Sequence, residues 1–204
     1  MTAIEYAVAT LAWQNRFVVA GAGNTGPIGQ RVPQSFDTVF TVGGIDSRGW
    51  RFVHPHSETT ITESSYGAAL DFMAPGMAEV GLICQRGNCS PTSSPPCPYT
   101  MIGCFSAYRH NFLTGTSFAA PKVCGAISLV LARAIELGID GPLQGWSLLT
   151  FDDMYEILRA GCRDQVSHVC SGCGDPDDGP GRDDYFGWGL IDIDASLQYL
   201  EDNW

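Results

Sequence analysis

Apolar positions along the chain fall into two kinds of run. From Ile4 to Trp13, the residues Ile4, Ala7, Val8, Leu11 and Ala12 recur three and four apart, which is the spacing of one helix face. Phe17 to Ala20 (FVVA), Thr38 to Gly43 (TVFTVG) and Ala69 to Ala74 (ALDFMA) are instead short and continuous, and glycine or proline ends each one. Runs of this kind lack the in-out alternation of a half-solvated strand, and they predict parallel strands covered on both faces. From Ser117 to about Glu136, apolar side chains such as Phe118, Ala119, Val123, Ile127, Leu129 and Val130 occupy nearly every side of a helical wheel. That pattern predicts a central helix buried all round. Thr150 to Ala160 predicts another helix, with Asp152 and Asp153 in the first turn where carboxylates suit the positive end of the dipole. Asp194 to Leu200 predicts a last amphipathic helix on the surface. The fold class these elements define is α/β, a three-layer α/β/α arrangement around a mainly parallel sheet.

Two stretches interrupt this rhythm and read as surface insertions. Residues 84–104 carry Cys84, Cys89, Cys97 and Cys104 among serines and prolines, an even set that admits two local disulfides in any of three connectivities. Residues 162–184 carry Cys162, Cys170 and Cys173 and the acidic run DPDDGPGRDD. His168, Cys170 and Cys173, with Cys162 nearby, are a candidate zinc set, against which stand disulfides or free thiols. Cys124 falls on the central helix, where a small packed thiol is the plain expectation.

The chain has 204 residues, the length of one domain with a sizeable core, so residues 1–204 are taken as a single unit. It carries 11 Lys and Arg against 22 Asp and Glu, a net charge of −11. Phosphate-tracking contacts need clustered cations, so no nucleic-acid partner is expected. No apolar stretch reaches 18 residues without interruption, so no membrane partner is expected either.

Two motifs carry candidate chemistry. Leu113-Thr114-Gly115-Thr116-Ser117-Phe118-Ala119-Ala120-Pro121 delivers a serine to the start of the central helix, where free N–H groups and the dipole favour developing negative charge. Pro121 is expected in the first turn, where a missing N–H costs least. The plain alternative is an ordinary capping serine. Val18-Val19-Ala20-Gly21-Ala22-Gly23-Asn24-Thr25-Gly26 runs a strand into a glycine turn with an amide side chain. Gly21, Gly23 and Gly26, with Asp46 further on, spell a dinucleotide fingerprint, but Pro27, Gly29 and Pro33 leave no helix to hold a pyrophosphate.

Taken together, these residues resemble the subtilisin-like serine proteases, the subtilases. VVAGAGNTG looks like that family's oxyanion-asparagine strand end, and TVFTVGGID and ALDFMAPG resemble the strands that follow. GTSFAAPKVCGAISLVLA looks like the nucleophile and its helix, and YFGWGLIDIDAS resembles the closing segment. Five segments in the family's order argue against chance, and Asn24 separates the chain from the related sedolisins, which place an aspartate there.

The resemblance implies a serine endopeptidase acting on polypeptides through an acyl-enzyme. Ser117 would be the nucleophile, and Asn24 with the Ser117 N–H would form the oxyanion hole. Ala22, Gly23, Gly115 and Thr116 would line the pocket for the residue before the cleaved bond. Lys122 departs from the family's usual His after the proline. The family's Asp-Thr/Ser-Gly turn and His-Gly-Thr helix do not occur in the 204 residues, and none of His54, His56, His110 or His168 sits in such a context. The expectation is therefore the C-terminal part of a catalytic domain, partnered by a missing N-terminal part and inert by itself. No cofactor is expected for the chemistry, and a structural calcium at Asp175 to Asp184 is a candidate against a plain solvated turn. Local cysteine pairs and an acidic surface lean towards an exported parent enzyme. A non-catalytic binding module and a nucleotide-binding oxidoreductase are the competing classes.

Overall fold

A computed structural model describes residues 2–28, 31–55, 61–77, 79–84, 108–139, 149–164 and 180–204. The chain opens with α1 (Ala3–Trp13), started by a Thr2–Glu5 capping box in which Thr2 Oγ1 accepts from the Glu5 N–H and Glu5 accepts from the Thr2 N–H. It continues through β1 (Val18–Gly21), β2 (Thr25–Pro27), β3 (Val39–Ile45), β4 (Val53–Pro55), β5 (Ile61–Tyr66) and β6 (Phe72–Pro75). After β7 (Glu79–Cys84) and β8 (Tyr108–Leu113) come α2 (Thr116–Glu136), α3 (Phe151–Ala160) and α4 (Ile193–Asn203). The three runs expected to be buried parallel strands are β1, β3 and β6, which form one parallel sheet in the order β1-β3-β6. The class is α/β, as the sequence predicts. β2, β5 and β4 form a small mixed sheet, and β7 and β8 an antiparallel pair.

All seven residues of β3 are buried, because the sheet is packed on both faces. On one face, Phe40, Val42, Phe72 and Ala74 meet Ala119, Val123, Ile127 and Val130 of α2, Ile157 and Leu158 of α3 and Leu200 of α4. On the other, Ile45 and Met73 join Ala22, Ile28, Leu70 and Phe186 in a smaller cluster. Burial of this apolar area, at roughly 25 cal/mol per Å², is what holds strands only four to seven residues long in register.

Three expectations change. The central helix is not buried all round: Leu129 and Ile135 are 54% and 55% exposed, and Cys124, Gly125, Ser128 and Ala132 are exposed too. Hydrophobic patterning records which surfaces could be covered, and nothing among the described residues covers this one. Likewise Ile4 and Leu11 of α1 are exposed, and only Val8 and Ala12 of that helix are buried. Pro121 lies in the second turn of α2, since the helix begins at Thr116 and the cap is Gly115. α4 runs on to Asn203 and is anchored by fully buried Leu200 and Ser196. α3 forms as expected, with Thr150 and Asp153 making a capping box. Most of both insertions, residues 85–107 and 165–179, lies outside the described residues, and with them the expected disulfides and zinc set.

At one edge of the sheet the half-buried Asp71 carboxylate organises a polar cluster. Asp71 Oδ2 accepts from the Thr41 N–H at 2.7 Å and Asp71 Oδ1 from Tyr155 Oη at 3.2 Å, while Trp188 Nε1 donates to Tyr155 Oη at 2.8 Å. Burial raises the Asp71 carboxyl to about 6, against the lowering effect of those donors and of Arg182. Burial and the neighbouring Asp71 raise Tyr155 as well. A cavity of about 320 Å³ opens here, lined by Gln34, Phe36, Asp37, Asp71, Tyr155 and Arg182 among others.

Candidate functional site

The two motifs meet where β1 ends and α2 begins. Gly21 allows it: a Cβ there would stand 2.9 Å from Thr116 Oγ1 and 3.0 Å from the Thr116 carbonyl carbon and oxygen, so any side chain would push the helix start off the strand. The Thr116 hydroxyl accepts from the Gly23 N–H at 3.0 Å and donates to the Gly23 carbonyl at 3.3 Å. One residue on, Asn24 Oδ1 accepts from the Thr116 N–H at 2.8 Å. That bond fixes the amide, because the oxygen is committed and Nδ2 must face the other way.

Ser117 sits at the second position of the helix and is exposed. It is not the cap, so the reading of it as an ordinary capping serine does not hold: Gly115 caps α2 without any side-chain bond. Ser117 Oγ and Asn24 Nδ2 flank Gly115 together, 3.2 and 3.4 Å from the place a Cβ on Gly115 would occupy. Among the described residues, neither the Ser117 N–H nor Asn24 Nδ2 has a protein acceptor. Two donors are thus held beside a hydroxyl at the positive end of a 21-residue helix. Such an arrangement can stabilise an oxyanion formed on an acyl group attacked by that hydroxyl.

The turn before Ser117 is held from a third side. The Gly115 N–H donates to the Gly76 carbonyl at 2.8 Å, and the Gly76 N–H to the Ile45 carbonyl at 2.9 Å. Lys122, at the position where a His was expected, donates to the Pro75 carbonyl at 2.8 Å and pairs with Glu79 at 2.5 Å. It ties the segment after β6 to the second turn of α2. Of the pocket residues, Ala22 is fully buried, and Gly23 has φ +109°, a conformation that favours glycine.

The other candidates fare differently. No helix follows Gly26, which lies in β2, and the Asp46 carboxylate is engaged by Arg48 and by the Trp50 N–H, so the dinucleotide fingerprint has no phosphate cradle and no free acid. His54 and His110 stand on β4 and β8, where their backbones pair with Thr62 and Leu82; His56 and His168 lie outside the described residues. Cys162 donates to the Leu158 carbonyl, and burial pushes its thiol up to about 12. Cys124 is exposed rather than packed. In the acidic run, Asp183 Oδ1 accepts from the Tyr185 and Phe186 N–H groups, and no group of three or more His, Cys, Asp or Glu gathers among the described residues. Residues 175–179 of that run lie outside the described residues, and with them most of the calcium candidate.

One neighbour of the site escaped the sequence reading. Arg31 Nη2 donates to Thr25 Oγ1 at 2.6 Å, and its Nη1 lies 3.0 Å from where a Cβ on Gly23 would stand. The guanidinium therefore lies against the residues on both sides of Asn24. A lone cation seven positions past the asparagine, in a chain so acidic, was the available signal.

Fold and site together define an α/β protein with a serine at a helix start and an asparagine amide flanking the same glycine. The chain belongs to the subtilase family: the family profile, Peptidase S8, matches residues 2–189. It is 28% identical over 202 residues to subtilisin DY of Bacillus licheniformis, covering 97% of this chain and 52% of that protein. It is also 29% identical over 133 residues to a thermophilic serine proteinase of Bacillus sp. strain AK1, covering 65% of this chain and 25% of the relative. The fold is shared with a lanthipeptide protease, at TM-score 0.62 and 20% identity over 97% of this chain and 54% of the other. The prenylagaramide maturation protease PagA aligns with TM-score 0.60 and 22% identity, over 96% and 54%. The chain thus spans about half the length of subtilisin DY and about a quarter of the thermophilic serine proteinase.

Proposed function

We propose that this chain supplies the nucleophile and oxyanion hole of a serine endopeptidase. Ser117 Oγ attacks the carbonyl carbon of a peptide bond, its proton passes to a base, and the carbonyl electron pair moves onto oxygen. The Asn24 amide and the Ser117 N–H receive that oxyanion; collapse expels the amine, which takes the proton back from the base, and leaves the acyl group on Ser117 for water to remove. Ala22, Gly23, Gly115 and Thr116 line the pocket for the residue before the cleaved bond. The observation that carries the reading is the Thr116 N–H to Asn24 Oδ1 bond, which commits the amide oxygen and leaves Nδ2 as the open donor beside Gly115, which Ser117 Oγ also flanks.

The base and its orienting acid come from another polypeptide segment, the N-terminal part of a catalytic domain, because the family's Asp-Thr/Ser-Gly and His-Gly-Thr motifs are absent from the 204 residues. Without them the serine lacks a proton acceptor, and the chain alone is inert. No cofactor takes part in this chemistry.

A fluorophosphonate probe tests the reading. The isolated chain should label at Ser117 more slowly than an intact subtilase by on the order of 10⁴-fold or more, and Ser117→Ala should not label. Addition of a polypeptide bearing the two missing motifs should restore rapid labelling. Rapid stoichiometric labelling of the chain alone would overturn the claim that it is inert.

The absence of those motifs equally favours a second reading, a subtilase-derived binding module without catalysis. The coding sequence immediately upstream of Met1 separates the two. In-frame Asp-Thr-Gly and His-Gly-Thr segments there support the protease.

A further inference from the structure

We infer that Arg31 makes the pocket beside Asn24 selective for substrates with an acidic side chain before the cleaved bond. The inference rests on the assignment of Ala22, Gly23, Gly115 and Thr116 as pocket walls, and it adds the substrate class. The side chain in question leaves from the carbon next to the carbonyl whose oxygen the Asn24 amide receives. It must therefore descend along the 22–23 wall within a few ångströms of Asn24.

What stands behind that wall is a guanidinium. Gly23 has no side chain of its own, and the room a Cβ would take is bounded at 3.0 Å by Arg31 Nη1 and at 3.0 Å by Ser65 Oγ. Arg31 Nη2 is steadied on Thr25 Oγ1 at 2.6 Å, which fixes the plane of the group and leaves its other N–H donors for a ligand. A carboxylate reaching past Gly23 would find a preorganised, bidentate partner.

The charge there is not cancelled. Among the described residues no carboxylate pairs with Arg31, and the nearby Glu63 is held by Arg51 at 3.2 Å. Arg51 itself is committed further, donating to the Ser64 carbonyl at 2.7 Å. In a chain of net charge −11, Arg31 is thus a cation without a carboxylate partner among the described residues, beside the proposed pocket wall. Arg31 is exposed, so the selectivity is electrostatic and sensitive to salt.

Equilibrium binding to the 204-residue chain tests this without any need for catalysis. The probes are N-acetylated tetrapeptide acids identical but for a C-terminal Asp, Glu, Leu or Lys. At low ionic strength the Asp and Glu peptides should bind about tenfold tighter than Leu and more so against Lys. Arg31→Gln should erase the difference, Arg31→Lys should keep part of it, Arg31→Glu should reverse it, and added salt should shrink it. Equal binding of all four peptides, no binding of any, or a preference that survives Arg31→Gln would each overturn the inference.

The catalytic reading fails separately. Peptidyl diphenyl phosphonates ending in Asp or Leu report on Ser117 once the missing motifs are supplied. Acidic preference in binding with no adduct on Ser117 would overturn the protease reading and leave Arg31's role standing. Adducts formed at equal rates from both reagents would overturn the Arg31 inference alone.

Discussion

Two polar clusters hang from the same parallel sheet, and they treat their donors in opposite ways. Around Asp71 the groups face inward: the carboxylate takes the Thr41 N–H and the Tyr155 hydroxyl, and Trp188 donates to that hydroxyl. Around Asn24 the Thr116 N–H and hydroxyl are tied to residues 23 and 24, while the Asn24 amide nitrogen, the Ser117 N–H and the exposed Ser117 hydroxyl have no partner among the described residues. The first cluster consumes its hydrogen-bonding capacity in holding the fold. The second holds itself with Thr116 and leaves the rest for a ligand, which is how a site differs from a structural polar core.

The comparison sharpens or breaks on stability measurements, taken here from the largest effect to the smallest. Asp71 should make stability depend on pH. Its folded carboxyl is raised from the ordinary 3.8 to about 6, so between those values the folded chain holds a proton that the unfolded chain has lost. Stability should therefore be greatest below about pH 4 and fall as pH rises through about 6, by on the order of 2 kcal/mol from this group. Urea unfolding from pH 4 to 7.5 checks it: the difference between wild type and Asp71→Asn should carry this slope, and a flat difference refutes it.

Thr116→Val should come next, at about 1–3 kcal/mol, because it strands the Gly23 N–H that Thr116 Oγ1 accepts. Thermal unfolding of that variant at pH 7 is the measurement. Asn24→Ala should cost about 1 kcal/mol, the worth of its bond from the Thr116 N–H, while lowering Ser117 labelling in the assembled enzyme by ~10²-fold or more. Ser117→Ala should change stability by no more than about 0.5 kcal/mol, since its side chain is exposed and bonds to nothing in the fold. If Ser117→Ala proved as costly as Thr116→Val, the division between holding and acting residues would be wrong.

Much of this was legible along the chain, and what was not has a physical reason. The parallel strands showed because burial on both faces removes alternation, as in β3. The start of α3 showed because a capping box is local chemistry, and the Thr150–Asp153 bonds form within four residues. The pairing of Asn24 with the Thr116–Ser117 turn came from a family resemblance, since no local rule joins residues 92 apart. The exposed face of α2 was not legible: Leu129 is as apolar as Ile127, and only the fold leaves one uncovered and buries the other. Arg31 was missed for a similar reason. Its place beside Gly23 depends on tertiary contacts with Thr25 and the Gly23 turn, not on any motif containing it.

The bond between Asn24 and Thr116 also sets an order in time. Its partners are 92 residues apart, so in a chain made from its N-terminus the turn carrying Asn24 exists long before the residue that orients its amide. Every shorter nascent chain has the amide without its anchor, and closing so long a loop is among the later events of folding. The amide is thus oriented only after the three strands of the sheet have been followed by the start of α2, and a growing chain carries Asn24 unanchored until then.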